Sequence, residues 1–158
     1  MPWEKEYGYA QAVKVGDTIY VSGQVSHDDD GNIVGHGDMG AQMRQAYLNI
    51  QKLLAQYGAA IENIVDEILF VTDMDAAFTS AVKLRQEIFS GTPVVASTIV
   101  QIQRLAFPEL MIEINGKGVN PLIAFLIPPF RRRTFCMNHP AICAIRNDVL
   151  HKARVFNT

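Results

Sequence analysis

Residues 17–25, Asp17-Thr18-Ile19-Tyr20-Val21-Ser22-Gly23-Gln24-Val25, alternate in character and are rich in β-branched and aromatic side chains. That is the pattern of a half-buried strand. Gly16-Asp17 marks a turn before it, so residues 9–15 are predicted to be its hairpin partner. The polar run His27-Asp28-Asp29-Asp30-Gly31-Asn32 reads as a second turn, leading to the short strand Ile33-Val34 and completing a β-meander. At Asp38 the period changes. Met39, Met43, Ala46, Ile50, Leu53, Leu54 and Tyr57 recur at spacings of three and four, which makes one apolar stripe on a helix. Asp38 suits its N-cap and Gly58 its C-terminal stop.

Ile64-Val65 and Ile68-Leu69-Phe70-Val71 read as a buried strand closed by Thr72-Asp73. Asp75 is expected to cap a second helix with Phe78, Ala81, Val82, Ile88 and Phe89 inward, ending at Gly91 and Pro93. Two strands follow, over 98–104 and 110–116, with Leu110, Ile112 and Ile114 on one face and Met111 and Glu113 on the other. The order β-β-(β)-α-β-α-β-β predicts an α+β domain whose two helices cover one face of a single sheet.

Charge divides the chain. Residues 1–118 hold 8 Lys+Arg against 15 Asp+Glu, whereas 119–158 hold 6 against 1, together with both cysteines. An acidic domain over 1–118 and a basic extension over 119–158 are therefore expected. The apolar fraction of 49% excludes disorder for the chain as a whole, and two cysteines make no disulfide framework. No run reaches the ~18 apolar residues of a membrane span, and the N-terminus has no signal-like segment, so a cytoplasmic protein with no membrane partner is expected. The acidic balance argues against a nucleic-acid partner.

Most candidate motifs have simpler explanations. Gly35-His36-Gly37-Asp38-Met39-Gly40 satisfies G-x-G-x-x-G. However, the strand before it is too short, and Asp38 would set a carboxylate where a phosphate must bind. Asp28-Asp29-Asp30-Gly31-Asn32 begins like a calcium loop, but Ile33 stands at the required Gly and Met39 at the closing Glu. Cys136, His139, Cys143 and His151 have zinc-ligand side chains in an unfamiliar spacing. No metal and no cofactor is expected. Glu113 stands out instead as a carboxylate facing away from Ile112 and Ile114 in an apolar strand. There it can position water or exchange a proton if that face opens into a cleft, and otherwise it is a rim charge paired to a neighbouring base.

Five segments, in order and in spacing, resemble the RidA (YjgF/YER057c/UK114) family over about residues 3–118. They are Tyr7-Gly8-Tyr9-Ala10-Gln11-Ala12, Val21-Ser22-Gly23-Gln24, Gln42-x-Arg44 with Asn49-Ile50, Val71-Thr72-Asp73-Met74, and Ile112-Glu113-Ile114. The resemblance implies a chorismate-mutase-like α+β fold, assembled as a homotrimer with its sheets inward and small-molecule clefts between subunits. It also implies hydrolysis of reactive enamines and imines to 2-oxo acids and ammonia, without metal or organic cofactor. Glu113 matches the glutamate thought to position water, Tyr9 the early site tyrosine, and Ser22-Gly23 the loop that offers backbone hydrogen bonds.

One family feature is missing. The arginine that clamps the substrate carboxylate falls at Ser97, or at Ala96 if the gap moves by one, and residues 92–98 contain no basic side chain. The family's helix asparagine falls at Val82 or Lys83. A substrate without a carboxylate, or one held by Arg104, Lys83 or Arg85, fits this departure. Three readings follow. The first is an imine or enamine hydrolase with Glu113 guiding water and Tyr9, Ser22, Gly23, Ser97 and Arg104 shaping the site. The others are a non-catalytic metabolite-binding or chaperone-like trimer, and an endoribonuclease.

Overall fold

The computed structural model describes residues 3–89 and 95–120. A short helix α1 (Trp3–Tyr7), not anticipated above, precedes the hairpin of β1 (Ala12–Val15) and β2 (Thr18–Gln24). Gly16 turns the hairpin at φ 58°, a left-handed conformation that a side chain would strain. The register Val15↔Thr18 sets the two strands antiparallel. The expected third strand at Ile33-Val34 is reduced to an isolated bridge between His27 and Ile33. Asp28 organises this turn, accepting hydrogen bonds from the amides of Asp30 and Asn32 at 3.0 and 2.8 Å, so its carboxylate serves the loop itself.

Helix α2 (Met39–Ala55) starts where predicted, with the Asp38 carboxylate accepting from the Ala41 amide. Its buried stripe contains Met39, Met43, Ala46, Ile50 and Leu54, as expected, and also Gln42 and Tyr47. Gln42 acts as a brace. Its amide donates to the carbonyls of Gly35 and Glu109 and accepts from the Met111 amide at 2.8 Å, which fixes the approach to the final strand. Asn49 similarly donates to the carbonyls of Val25 and His27 and holds the chain leaving β2.

A 3-10 turn (Ile61–Asn63) leads into β3 (Ile64–Val71). Helix α3 (Met74–Ile88) is capped by Asp73, whose carboxylate accepts from the Ala76 amide, and not by Asp75, which lies in the first turn. Its inward side chains match expectation in part: Ala81 and Phe89 are buried and Ile88 packs against the core as predicted. Ala77 and Leu84 are buried as well, whereas Phe78 and Val82, expected inward, are more than half exposed. The inward stripe runs through 77, 81 and 84, and 78 and 82 lie one position further round the helix. The predicted stop at Gly91 and Pro93 lies outside the described residues, as does the extension beyond Asn120 with its Cys and His residues.

Strands β4 (Ala96–Gln101) and β5 (Ile112–Val119) complete a five-stranded sheet of order β1-β2-β5-β3-β4. β3 and β4, joined through α3, run parallel, and the other neighbours are antiparallel. The last strand thus enters the middle of the sheet, so its central side chains have a strand on either side. Helices α2 and α3 cover one face, and Ile19, Val21, Leu69, Val71, Ile112 and Ile114 meet them in the core. Each fully buried aliphatic side chain of this kind stabilises the fold by roughly 1.5–3 kcal/mol.

Candidate functional site

Strand alternation sorts β5 onto two sides: Ile112, Ile114, Gly116 and Gly118 are buried beneath the helices, while Glu113, Asn115 and Lys117 are half-buried on the opposite, uncovered face. Glu113 pairs in register with Phe70 of β3, and Phe70 with Val100 of β4. On its other side Glu113 lies over Gly23, where a Cβ would collide with the Glu113 carboxylate. The bulge in β2 between Val21 and Gln24 occurs at this point, so the absence of a side chain at 23 makes room for the acid.

Tyr9 approaches from the segment ahead of β1. Gln11 donates to the Tyr9 hydroxyl at 3.3 Å, and Gln24 donates to Gln11 Oε1 at 2.8 Å and to the Ser22 carbonyl at 3.1 Å. The Ser22 hydroxyl donates to the Ala10 carbonyl at 2.7 Å, tying the Tyr9 segment to the β2 loop. Burial pushes the Tyr9 hydroxyl above its ordinary pKa, and the negative charges of Glu4 and Glu113 add to the rise. Burial also pushes the Glu113 carboxyl up. A carboxyl raised in this way holds and releases a proton nearer neutral pH than a solvated one, as general acid–base work requires.

Tyr9, Ser22, Gly23 and Glu113 are therefore brought together by one chain. Ser97 is placed elsewhere. It pairs with Glu67 and, like it, faces the helices, where Arg85 of α3 donates to the Ser97 hydroxyl at 3.1 Å. Arg85 also forms an ion pair with the buried Glu67 and donates to the Tyr47 hydroxyl at 3.1 Å, while that hydroxyl donates to the second Glu67 oxygen at 3.0 Å. Burial pushes the Tyr47 hydroxyl up to about 12, although Arg85 beside it pulls the other way. Ala96, one position before Ser97, lies on the uncovered face with Asp66. Arg104 is exposed in the loop between β4 and β5.

Three features were missed in the sequence. Gln11 and Gln24 lay inside recognised segments, but their mutual hydrogen bond crosses the hairpin and is invisible until the strands are paired. Asn115, two positions beyond Glu113 and therefore on its face, has its Oδ1 buried with no hydrogen-bond donor. Strand alternation alone would have identified it. Among the described residues no group of three or more His, Cys, Asp or Glu is arranged to hold a metal ion. Nor is any helix among them long and apolar enough to cross a membrane.

The profile of the Endoribonuclease L-PSP family matches residues 3–119. The chain belongs to this family, the RidA (YjgF/YER057c/UK114) family that its motifs resemble. The RutC family protein YjgH of Escherichia coli (strain K12) is 33% identical over 112 residues, 71% of this chain and 84% of that protein. The crystal structure of Rv2704 from Mycobacterium tuberculosis, a member of the YjgF/YER057c/UK114 family, superposes with a TM-score of 0.65 at 26% identity, covering 75% of this chain and 92% of that one. That of YyfA from Yersinia pestis, a Rid-family protein of unknown function, gives a TM-score of 0.65 at 28% identity over 70% of this chain and 86% of that one. The RidA-type α+β fold expected from the sequence is therefore the fold of this chain.

Proposed function

We propose that this RidA-family chain is a cofactor-independent imine or enamine hydrolase, a deaminase, working as a homotrimer with a small-molecule cleft at each subunit boundary. The observation that carries the reading is Glu113, a half-buried carboxyl on the uncovered sheet face, seated against a glycine and raised in pKa by burial, with no cation paired to it among the described residues. The trimer is supported by that same face. Val13, Val15, Tyr20, Ile68 and Val100 all stand on it, each more than a third exposed, an apolar surface that a second sheet would cover. The family profile, ending at 119, supports residues 1–118 as the functional unit and 119–158 as an extension to it.

In the reaction, the imine enters as its protonated iminium, and Glu113 orients a water and takes one of its protons as the water oxygen bonds to the iminium carbon and the C=N electron pair moves onto nitrogen, giving a neutral carbinolamine. Glu113 then returns that proton to nitrogen, and the carbon–nitrogen bond breaks with its electron pair leaving as ammonia while the hydroxyl O–H pair becomes the carbonyl and its proton passes through Glu113 to solvent. One iminium and one water become one carbonyl compound, one ammonia and one proton, and the glutamate is regenerated. An enamine enters the same path once a proton has been added to its carbon. Tyr9 and the backbone at Ser22-Gly23 line the cleft and hold the substrate against the acid.

Purified full-length protein should accelerate ammonia release from imines formed in situ by an amino-acid or amine oxidase. No acceleration with any imine, or an equal one with Glu113→Ala, would defeat the hydrolase reading.

A further inference from the structure

Negative charge and unfilled acceptors gather around Glu113 and Tyr9. The Glu113 carboxylate, the Glu4 carboxylate acting on Tyr9, and the donorless Asn115 Oδ1 are all hydrogen-bond acceptors or negative charges. Four described cations that could offset them, Arg85, Lys83, Lys117 and Arg104, are placed elsewhere. Arg85 is on the helix-covered face, where Glu67, Tyr47 and Ser97 occupy it. Lys83 lines the groove between α2 and α3 with Arg44 and Glu87, and its charge acts on Glu87.

Lys117 does share the face of Glu113, but it is four residues along β5, roughly 13 Å at the strand rise. Its ammonium lies over the Tyr20 ring at 5.5 Å, and its register partner is Asp66. Arg104 is exposed on the loop. The outward side of β4, the sheet edge open to a neighbouring copy, presents Ala96, Thr98 and Val100, none of them charged.

A carboxylate entering this site would meet like charge in a partly desolvated place and find, among the described residues, no free guanidinium to receive it. A protonated imine, with its N–H donors and positive charge, meets acceptors instead. We infer that the cleft selects imines without a carboxylate, taken as the neutral imine or its iminium, so that the reaction supplying them is oxidation of a simple amine rather than of an amino acid. This inference rests on the hydrolase reading and narrows it to a substrate class.

The test compares two imines with the same isobutyl side chain, generated in the presence of the full-length protein. A flavin amine oxidase acting on 3-methylbutylamine gives the neutral one, and an L-amino-acid oxidase acting on leucine gives the carboxylated one. The expected result is a rate enhancement of ammonia release on the order of tenfold greater for the neutral imine, the worth of one unfavourable charge contact at intermediate dielectric. An enhancement equal or greater for the leucine-derived imine overturns the inference while leaving the hydrolase reading intact. Enhancement of neither removes both.

Val100→Arg, which adds a cation to the uncovered face in the register row of Phe70 and Glu113, should shift the ratio toward the carboxylated imine. An unchanged ratio in a folded Val100→Arg protein would mean that charge does not set the preference, and would also overturn the inference.

Discussion

Two glutamates lie on opposite faces of the sheet, and their treatment differs. Glu67, beneath the helices, is fully buried and answered on every side, by the Arg85 guanidinium and the Tyr47 hydroxyl. Glu113, on the uncovered face, is only half-buried, yet no cation among the described residues pairs with it and burial raises its carboxyl. A buried charge with complete partners holds a structure together and has nothing left to give a ligand. A charge kept partly dry and unpaired costs stability and retains its capacity to move a proton. The contrast separates the architecture of this chain from its chemistry.

The largest effect should come from breaking the paired side. Arg85→Ala leaves the Glu67 carboxylate uncompensated in the core, for an expected loss of about 3–5 kcal/mol in urea denaturation. The double variant Glu67→Gln with Arg85→Met should recover most of that loss. If Arg85→Ala alone cost under about 1 kcal/mol, the two faces would not differ as described.

Gly23→Ala comes next. Its methyl group must displace the Glu113 carboxylate or the β2 bulge, for an expected cost of about 1–3 kcal/mol. Combining it with Glu113→Ala should relieve most of the clash, so the two changes should be clearly non-additive in a double-mutant cycle.

The pH dependence sharpens the contrast at smaller amplitude. Because burial raises the Glu113 carboxyl, the folded chain binds that proton more tightly than the unfolded one. The stability this contributes is complete below the ordinary carboxylate range of about pH 4 and is lost as pH rises through the raised value. Glu113→Gln removes the effect. Its stability relative to the wild type should therefore improve from pH 4 to pH 8, and a difference that stays flat or falls would show that Glu113 is paired after all.

The smallest expected effect is that of Ser97→Ala. It removes one of several Arg85 partners and should cost about 0.5–1.5 kcal/mol, with little change in ammonia release.

Much of this contrast was legible in the chain. The hairpin, the Asp38 cap and the position of Glu113 opposite two isoleucines all follow from short-range periodicity, which strands and helices express directly. What the pattern concealed depends on pairing between distant segments. The stretch Ile64-Val65-Asp66-Glu67-Ile68-Leu69-Phe70-Val71 reads as a buried strand, yet only its neighbours determine that Glu67 points at α3 and finds Arg85 there.

The missing arginine falls at Ser97, or at Ala96 if the gap moves by one, and only parallel pairing with β3 shows that the two stand on opposite faces. The outward turn of Phe78 and Val82 depends on which side of α3 meets the sheet, and with apolar residues at 77, 78, 81, 82 and 84 the helix offers two overlapping stripes that the sequence alone does not separate.

The central claim is that Glu113 is kept unpaired in order to act, and one comparison tests it most directly. Ammonia release from an in-situ imine should be measured for wild type and Glu113→Gln, alongside their folding stability at neutral pH. The account predicts a Gln variant at least as stable as the wild type with catalysis reduced by about a hundredfold or more. A Gln variant that is less stable and fully active would contradict it.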